Sequence, residues 1–361
     1  MSIRAARTRL ASDLNFGEGV ELAHPATPEE LAALLAEATA KRKRVLIWGG
    51  GTHQGIGYSV VPELVVFTDR LDRWLDWQPE DLTVVVEAGV TVADLEAKLA
   101  SEGQTAILAE TGQPPATVGG ALAAGISGFR RARYGPTRDR VLEVQIVTGD
   151  GRLVRAGGRV VKNVTGYDLP RLAVGSFGGL GVIVSCCLKL WPLAPAAATV
   201  TIGTDHPAPV SRPLAMLADR DATRVFLSGS VAEVEDQVRR LQGEVVEGLA
   251  WPTPPLGDWC FSLRVPPAAA REMLGRLPTA CDYLHQVGVG EVSIAAASPD
   301  GMPELRRAAE AAGGSLVVIR GDDEVFAPWG APPATLDLQR RLLAAFDPAR
   351  ILNPGRLPGR L

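Results

Sequence analysis

Three glycine-rich stretches mark the chain, and in two of them peptide N–H groups could meet an anion. The first is Val45 to Gly57, VLIWGGGTHQGIG. Val45, Leu46, Ile47 and Trp48 read as a buried strand, and Gly49, Gly50 and Gly51 end it abruptly before Thr52 and His53. Three glycines in a row lose much conformational entropy on folding. Their expected use is a backbone that takes φ > 0, approaches a ligand closely and turns its N–H groups inward as an anion nest. A Walker loop would end in Gly-Lys-Ser/Thr, and a Rossmann fingerprint would open a helix with G-x-G-x-x-G; neither is present. Gly55-Ile56-Gly57-Tyr58 continues as turn chemistry and Pro62 follows, so no helix starts there. The stretch reads as a pyrophosphate cradle, with an ordinary glycine-rich turn as the competing reading.

The second stretch, Thr111 to Gly128, reads TGQPPATVGGALAAGISG. Pro114 and Pro115 force an extended approach to Thr117, Val118, Gly119 and Gly120. Ala121, Ala123, Ala124 and Gly125 then form a helical turn whose first N–H groups could face an anion, and Ser127 and Gly128 offer another close approach. Tight helix packing on a sheet explains the same small residues equally well. The third stretch, Gly175 to Gly181, delivers the chain into a strand over Val182 to Leu190. Arg130, Arg131, Arg133 and Tyr134 form a basic and aromatic cluster in a polar turn, which a solvated loop would also explain.

These stretches need elements to position them. Thr27 as N-cap, Pro28 at N1, Glu30 at N3 and apolar Leu31, Leu34 and Leu35 signal an amphipathic helix before the first strand. Leu64 to Thr68 and Leu82 to Ala88 read as strands, and Val92 to Ala100 as a helix behind Thr91. Val141 to Thr148 turns at Gly149-Asp150-Gly151 into Leu153 to Arg155 as a hairpin. Asp168 to Val174 reads as a short helix.

A chain of 361 residues favours two domains. Its net charge of −4 argues against nucleic acid as a partner, and Lys41 to Arg44 reads as a solvated helix end. The N-terminus lacks the apolar core of a signal peptide, and no run has the ~18 apolar residues of a membrane span, so a soluble, cytoplasmic protein is expected. Cys186, Cys187, Cys260 and Cys281 contain no C-x-x-C, which points to buried thiols rather than zinc or iron–sulfur ligands.

GGGTH, PPATVGGALAAGISG, RYGPTRDRVLEVQIVTGDG, VKNVTGYDLPRLAVGSFGGLGVIV and FDPARILNPGRL follow one another in this order. The series resembles the vanillyl-alcohol-oxidase and p-cresol-methylhydroxylase type FAD-binding proteins, and within them the FAD-binding subunits of bacterial glycolate oxidase. The resemblance is strong over residues 20 to 195 and returns only in the last dozen. It implies an α+β fold: a two-subdomain FAD-binding domain over residues 1–195, a smaller α+β cap over 196–333, and a C-terminal helix and tail over 334–361 returning to the FAD domain. It further implies that Gly49, Gly50, Gly51, Thr52, His53 and Gly57 cradle the FAD pyrophosphate by backbone donors alone. Pro115, Thr117, Val118, Gly119, Gly120 and Ala124 would reach it from the other side. Ser127 and Gly128 would lie near the flavin, Gly178, Gly181, Val182 and Ile183 along the adenosine half, and Asn353 over the cofactor domain. Some relatives attach flavin through a histidine in the first loop, which here would be His53.

The resemblance implies a small 2-hydroxy acid as substrate. It implies as partners a second FAD-binding subunit and an iron–sulfur subunit of a glycolate oxidase complex, through which the chain could sit peripherally at the inner membrane. Oxidation of such an acid needs a cation for the carboxylate and a base or metal for the hydroxyl proton. The histidines, His24, His53, His206 and His285, are scattered, and no histidine–carboxylate arrangement suited to a metal is visible. Arg133, Tyr134 and Arg320 are the substrate-side candidates. In the expected cap, Thr223 to Gly229, Trp259 to Val265, Val287 to Ala295 and Leu316 to Arg320 read as strands. Val231 to Leu241, Ala268 to Leu277 and Pro303 to Ala311 read as helices. A stand-alone dehydrogenase of another small alcohol or hydroxy acid, and a scaffold using FAD only structurally, remain open.

Overall fold

The computed structural model describes residues 16–108, 116–159, 166–203 and 210–361. The chain opens with β1 (Glu21–Ala23), α1 (Pro28–Ala40), β2 (Val45–Trp48) and β3 (Leu64–Phe67). The Thr27 hydroxyl accepts from the Glu30 amide at 3.1 Å, and the Glu30 carboxylate accepts from the Ala26 amide at 2.7 Å. Both orphan donors are thereby satisfied, and Leu31, Leu35 and Ala38 turn inward. The basic run after α1 is paired on the surface: Lys41 with Glu37 at 2.5 Å, Lys43 with Glu21 at 2.6 Å. The strands pair in parallel in the order β1-β3-β2. The crossover from β2 to β3 carries no helix; it is the glycine loop itself.

Next come β4 (Trp74–Gln78), β5 (Thr83–Glu87), α2 (Val92–Ala100) and β6 (Gln104–Thr105). They are followed by α3 (Val118–Ala124), α4 (Arg131–Tyr134), β7 (Val141–Val147), β8 (Leu153–Gly157), α5 (Leu169–Ala173), β9 (Val182–Lys189) and β10 (Trp191–Pro192). An antiparallel sheet forms in the order β4-β5-β9-β7-β8. Leu95 and Leu99 of α2 and Val118, Ala121 and Leu122 of α3 pack on it with Val84, Val86, Ile183 and Cys186. A separate core joins Leu31 and Leu35 of α1 to Val45, Leu64, Val147 and Val182, so the two sheets meet beside β2 and the start of β9. Pro115 and most of Val161 to Gly166 lie outside the described residues.

The remaining strands are β11 (Ala196–Ile202), β12 (Ala215–Ala218), β13 (Thr223–Gly229), β14 (Glu244–Glu247), β15 (Trp259–Arg264), β16 (Asp282–Gln286), β17 (Glu291–Ala296) and β18 (Ser315–Arg320). They form one antiparallel sheet, β14-β11-β13-β12-β16-β17-β15-β18. Among the described residues this part of the chain carries α6 (Val231–Leu241), α7 (Ala270–Gly275) and α8 (Met302–Ala311). Met273 of α7 and Met302, Leu305 and Ala309 of α8 pack with Phe261, Leu263 and Val318 of the sheet. Phe226, Leu217 and Leu284 form another cluster with Phe129, and Arg131 reaches across to Glu291 at 3.2 Å.

The strand expected over Val287 to Ala295 is present from Glu291 as β17, and its first four residues are instead a hairpin turn. Gly288 (φ 81°) and Gly290 (φ 76°) turn the chain between β16 and β17. The helix expected over Ala268 to Leu277 contracts to a short 3-10 turn and α7. Ala196, directly after Pro195, already pairs with Gly229 in the sheet. After α9 (Leu336–Phe346), the tail lies along β2: the Val45 amide donates to the Ile351 carbonyl and the Asn353 amide to the Val45 carbonyl, each at 2.8 Å.

Candidate functional site

A cleft opens where the three-stranded and five-stranded sheets, α3 and the C-terminal tail converge. Its walls include Gly49, Gly50, Gly51, Thr52, His53, Gly119, Gly120, Ala124, Gly178, Gly181, Val182, Ile183 and Asn353. These residues come from four separate stretches of sequence, and all of them were expected at a cofactor. Gln54, Thr68, Ala88, Phe177 and Arg356 also line the cleft and carried no such expectation.

The loop wall is built as a donor surface. Gly51 has φ 76°, and the loop closes on itself through Gln54 N–H to Gly51 O at 3.3 Å and Ile56 N–H to His53 O at 3.2 Å. The amides of Gly49, Gly50, Gly51, Thr52 and His53 donate to no acceptor among the described residues. Consecutive unpaired amides at a cleft wall are the arrangement that binds an anion, and a dinucleotide supplies one at its pyrophosphate. The residues present therefore fit the cofactor that the sequence implies.

The opposite wall departs from expectation. Thr117 caps α3 by accepting from the Gly120 amide at 3.2 Å. The Val118 amide donates to Val90 O and the Gly119 amide to Ala88 O, each at 2.8 Å. The first turn of α3 thus has its donors occupied by the protein and presents no free N–H to an anion. Its contribution is smallness. A Cβ on Gly119 would stand 2.5 Å from that of Ala88, and one on Gly49 would stand 2.4 Å from Thr117 Oγ1, so the two walls touch at their base. A Cβ on Gly120 would meet only its own cap hydroxyl, at 3.0 Å. Tight packing and cofactor approach were alternative explanations of these glycines; at Gly49 and Gly119 packing is the direct one.

Other expected residues stand outside the cleft lining. Thr117 and Val118 are buried behind the wall. Ser127 is buried and accepts from the Thr137 amide at 3.1 Å, and Gly128 is buried beside it. Gly57 (φ 86°) packs against Arg356, where a Cβ would stand 2.6 Å from the Arg356 carbonyl oxygen. Asn353 faces the cleft with its amide committed: Oδ1 accepts from Ile47 N at 3.0 Å and Nδ2 donates to Phe177 O at 2.6 Å.

The catalytic candidates are not gathered at the cleft. Arg133 donates to the Arg212 carbonyl at 2.9 Å and borders a separate polar depression with Glu233 and Arg240. Tyr134 packs edge-on against Trp191 with ring centroids 5.6 Å apart. Arg320 ends β18 with an exposed side chain, and its backbone lies against the tip of the glycine loop at Gly55.

His53 Nδ1 lies 2.9 Å from Thr52 Oγ1, and burial holds its pKa down to about 4, so the ring is neutral at pH 7. His24 stacks on Phe67 and pairs with Asp69 at 2.9 Å; His206 lies outside the described residues. Among the described residues no group of three or more His, Cys, Asp or Glu side chains is arranged to hold a metal. No helix among them is long and apolar enough to cross a membrane. Cys186 and Cys187 are buried in β9, and burial raises the Cys187 thiol to about 11.

The profile of a family described as an FAD binding domain matches residues 21–157. The glycolate oxidase subunit GlcE of Escherichia coli (strain K12) is 31% identical over 350 residues, spanning 89% of this chain and 94% of that protein. The D-lactate dehydrogenase of Archaeoglobus fulgidus is 34% identical over 178 residues, and the glycolate oxidase subunit GlcD of Bacillus subtilis (strain 168) 31% over 169. Those alignments cover 48% and 46% of this chain, and only 39% and 36% of the relatives. Among solved structures, an alkyldihydroxyacetonephosphate synthase superposes with a TM-score of 0.65 at 14% identity, covering 92% of this chain and 75% of its own. That likeness concerns the fold. The cleft is thus carried by a chain that aligns with GlcE along nearly its whole length, and the protein belongs to the GlcE family of FAD-dependent oxidoreductases.

Proposed function

We propose that this protein is the FAD-binding subunit of a glycolate oxidase complex, taking part in oxidation of glycolate or a related 2-hydroxy acid and passing electrons to an iron–sulfur partner. The observation that carries this reading is the alignment with GlcE over 89% of this chain and 94% of that protein. In this reading residues 1–195 and the tail form the cofactor domain, and residues 196–333 the cap.

The amides of Gly49 to His53 would hold the pyrophosphate. Gly119, Gly120 and Ala124 would let the cofactor lie close to α3, with Gly178, Gly181, Val182 and Ile183 along the adenosine half and Ser127 and Gly128 toward the flavin. Asn353 would keep the tail stapled to β2 and so keep the cleft closed at its base. Bound there, the flavin would supply a two-electron acceptor for the hydrogen on the hydroxyl-bearing carbon. The segment from Phe129 to Arg131, clamped to the sheet through Phe226 and Glu291, would fix the distance between that sheet and the cofactor. Arg320, whose backbone lies beside the loop tip at Gly55, remains the substrate-side candidate; Arg133 and Tyr134 serve the packing around Arg212 and Trp191.

The test is the visible spectrum of the purified chain, alone and with its co-purifying subunits, before and after glycolate. A flavin reduced only beside the other subunits supports the proposal. Reduction of the isolated chain would instead make it a stand-alone dehydrogenase, and a flavin that never changes redox state would make it a scaffold.

A further inference from the structure

Arg356 is a buried cation that the fold takes trouble to place. Its side chain lines the cleft and the residue is only 5% exposed. Nη2 donates to Gln54 Oε1 at 2.6 Å and to Gln54 O at 3.3 Å, both neutral acceptors. Nε has no partner, and no carboxylate among the described residues pairs with the guanidinium. Burial alone moves its pKa, down to about 10, so the group stays charged at pH 7. Several other arginines pair with carboxylates, Arg73 with Glu87, Arg131 with Glu291 and Arg224 with Asp219; Arg306 instead bonds to the Leu316 and Trp329 carbonyls and lies over the Phe326 ring.

The placement is specific. Gly57 has no side chain to obstruct the Arg356 stem, since a Cβ there would stand 3.0 Å from Arg356 Cγ. The Arg356 carbonyl accepts from Trp329 Nε1 at 2.8 Å and from the Tyr58 amide at 3.1 Å. Gln54 Nε2 donates to the Ile47 carbonyl at 2.9 Å, which can only accept, so Oε1 is the atom turned toward the guanidinium. An isolated buried charge persists only where something compensates it. No carboxylate among the described residues does so. The cleft wall nevertheless carries five amides with no acceptor among the described residues, and an anion is the ligand that suits both them and the guanidinium.

We infer that Arg356 is the counter-cation of the FAD pyrophosphate, held beside the amide nest of Gly49 to His53 by Gln54. The inference rests on the cleft being the FAD site. It also revises the expectation that backbone donors suffice there: the nest would be completed by one full charge delivered from the C-terminal tail.

The experiment is calorimetric titration of the flavin-free full-length chain with FAD, ADP and adenosine, for the wild type, Arg356→Met and Arg356→Lys. Arg356→Met is expected to weaken FAD and ADP binding by about 10- to 100-fold, as for loss of a charge-assisted hydrogen bond, and to leave adenosine binding unchanged. Arg356→Lys should recover part of the loss. The flavin-free Arg356→Met chain should melt no lower than the wild type, because the substitution removes a buried charge and keeps an apolar stem. Unchanged ADP affinity, or equal losses for ADP and adenosine with a lowered melting temperature, would overturn the assignment. Wild-type protein that binds neither FAD nor ADP would remove the site itself, and the assignment with it.

Discussion

The cleft and the eight-stranded sheet are built by opposite means. The faces that the glycine loop and α3 turn to the cleft are built largely from backbone and from residues with little or no side chain. Gly49 presses on Thr117, Gly119 on Ala88, and Gly178 on Ile47 and Asn353, each with a prospective Cβ contact under 3.0 Å. The sheet is held by large side chains such as Phe226, Phe261, Leu263 and Val292, all at most 1% exposed. A wall of backbone tolerates almost no added atom, whereas a wall of side chains can relax around a lost one. The two regions should therefore fail differently: the first through loss of ligand, the second through loss of stability.

The largest effect is expected at the cleft. Replacing Gly50 and Gly120 together by valine should remove about 2–6 kcal/mol of FAD binding, from roughly 30-fold to no detectable uptake, with the far-ultraviolet dichroism of the wild type. A yellow double variant would break the comparison. In the sheet, Leu227 is fully buried beneath α6 with Val200 and Val234. Leu227→Ala should cost about 2–5 kcal/mol in denaturant unfolding while the folded fraction keeps its flavin spectrum. Bleaching of the variant at denaturant concentrations where it remains folded would show the regions to be coupled.

A pH effect is expected to separate His53 from both. Its pKa is about 4 in the folded protein against an ordinary 6.5, so between these values the unfolded chain binds a proton that the folded chain does not. Stability present above pH 6.5 is then lost as pH falls toward 4, by at most about 3 kcal/mol. His53→Gln should flatten unfolding free energy against pH in that window relative to the wild type; an unaltered slope would contradict a buried neutral ring. The smallest effect is expected at Gly275, the last residue of α7, where a Cβ would meet nothing within 4 Å. Gly275→Ala should be neutral or stabilising by about 0.5 kcal/mol, in contrast to Gly119→Ala.

The same contrast explains what could be read from the amino-acid order. Walls made of backbone need glycine at fixed places, so Gly49-Gly50-Gly51 and Gly119-Gly120 announce themselves as letters. The caps Thr27, Thr91 and Asp168 do so as well, because short polar side chains before apolar runs have one common use. What could not be read was where the donors of α3 would go. Their acceptors, Val90 O and Ala88 O, belong to a turn whose approach depends on tertiary packing. Arg356 was hidden for a different reason. It stands in LNPGRL as an ordinary tail arginine, and only the return of the tail along β2 buries it. In the sheet, β12 is four residues of Ala, Met and Leu, types that favour helix, and β14 and β16 are short and lack an apolar run of their own; Glu244–Glu247 is exposed throughout, and pairing with β11 rather than composition makes it a strand.

The most direct measurement is the experimental structure of the full-length chain with FAD bound. The account predicts the pyrophosphate against the amides of Gly49 to His53, with the Arg356 guanidinium in contact with it and α3 contributing surface but no hydrogen bond from its first turn. A pyrophosphate placed on the N-terminus of α3 or outside the cleft, with Arg356 facing a carboxylate instead, would contradict it.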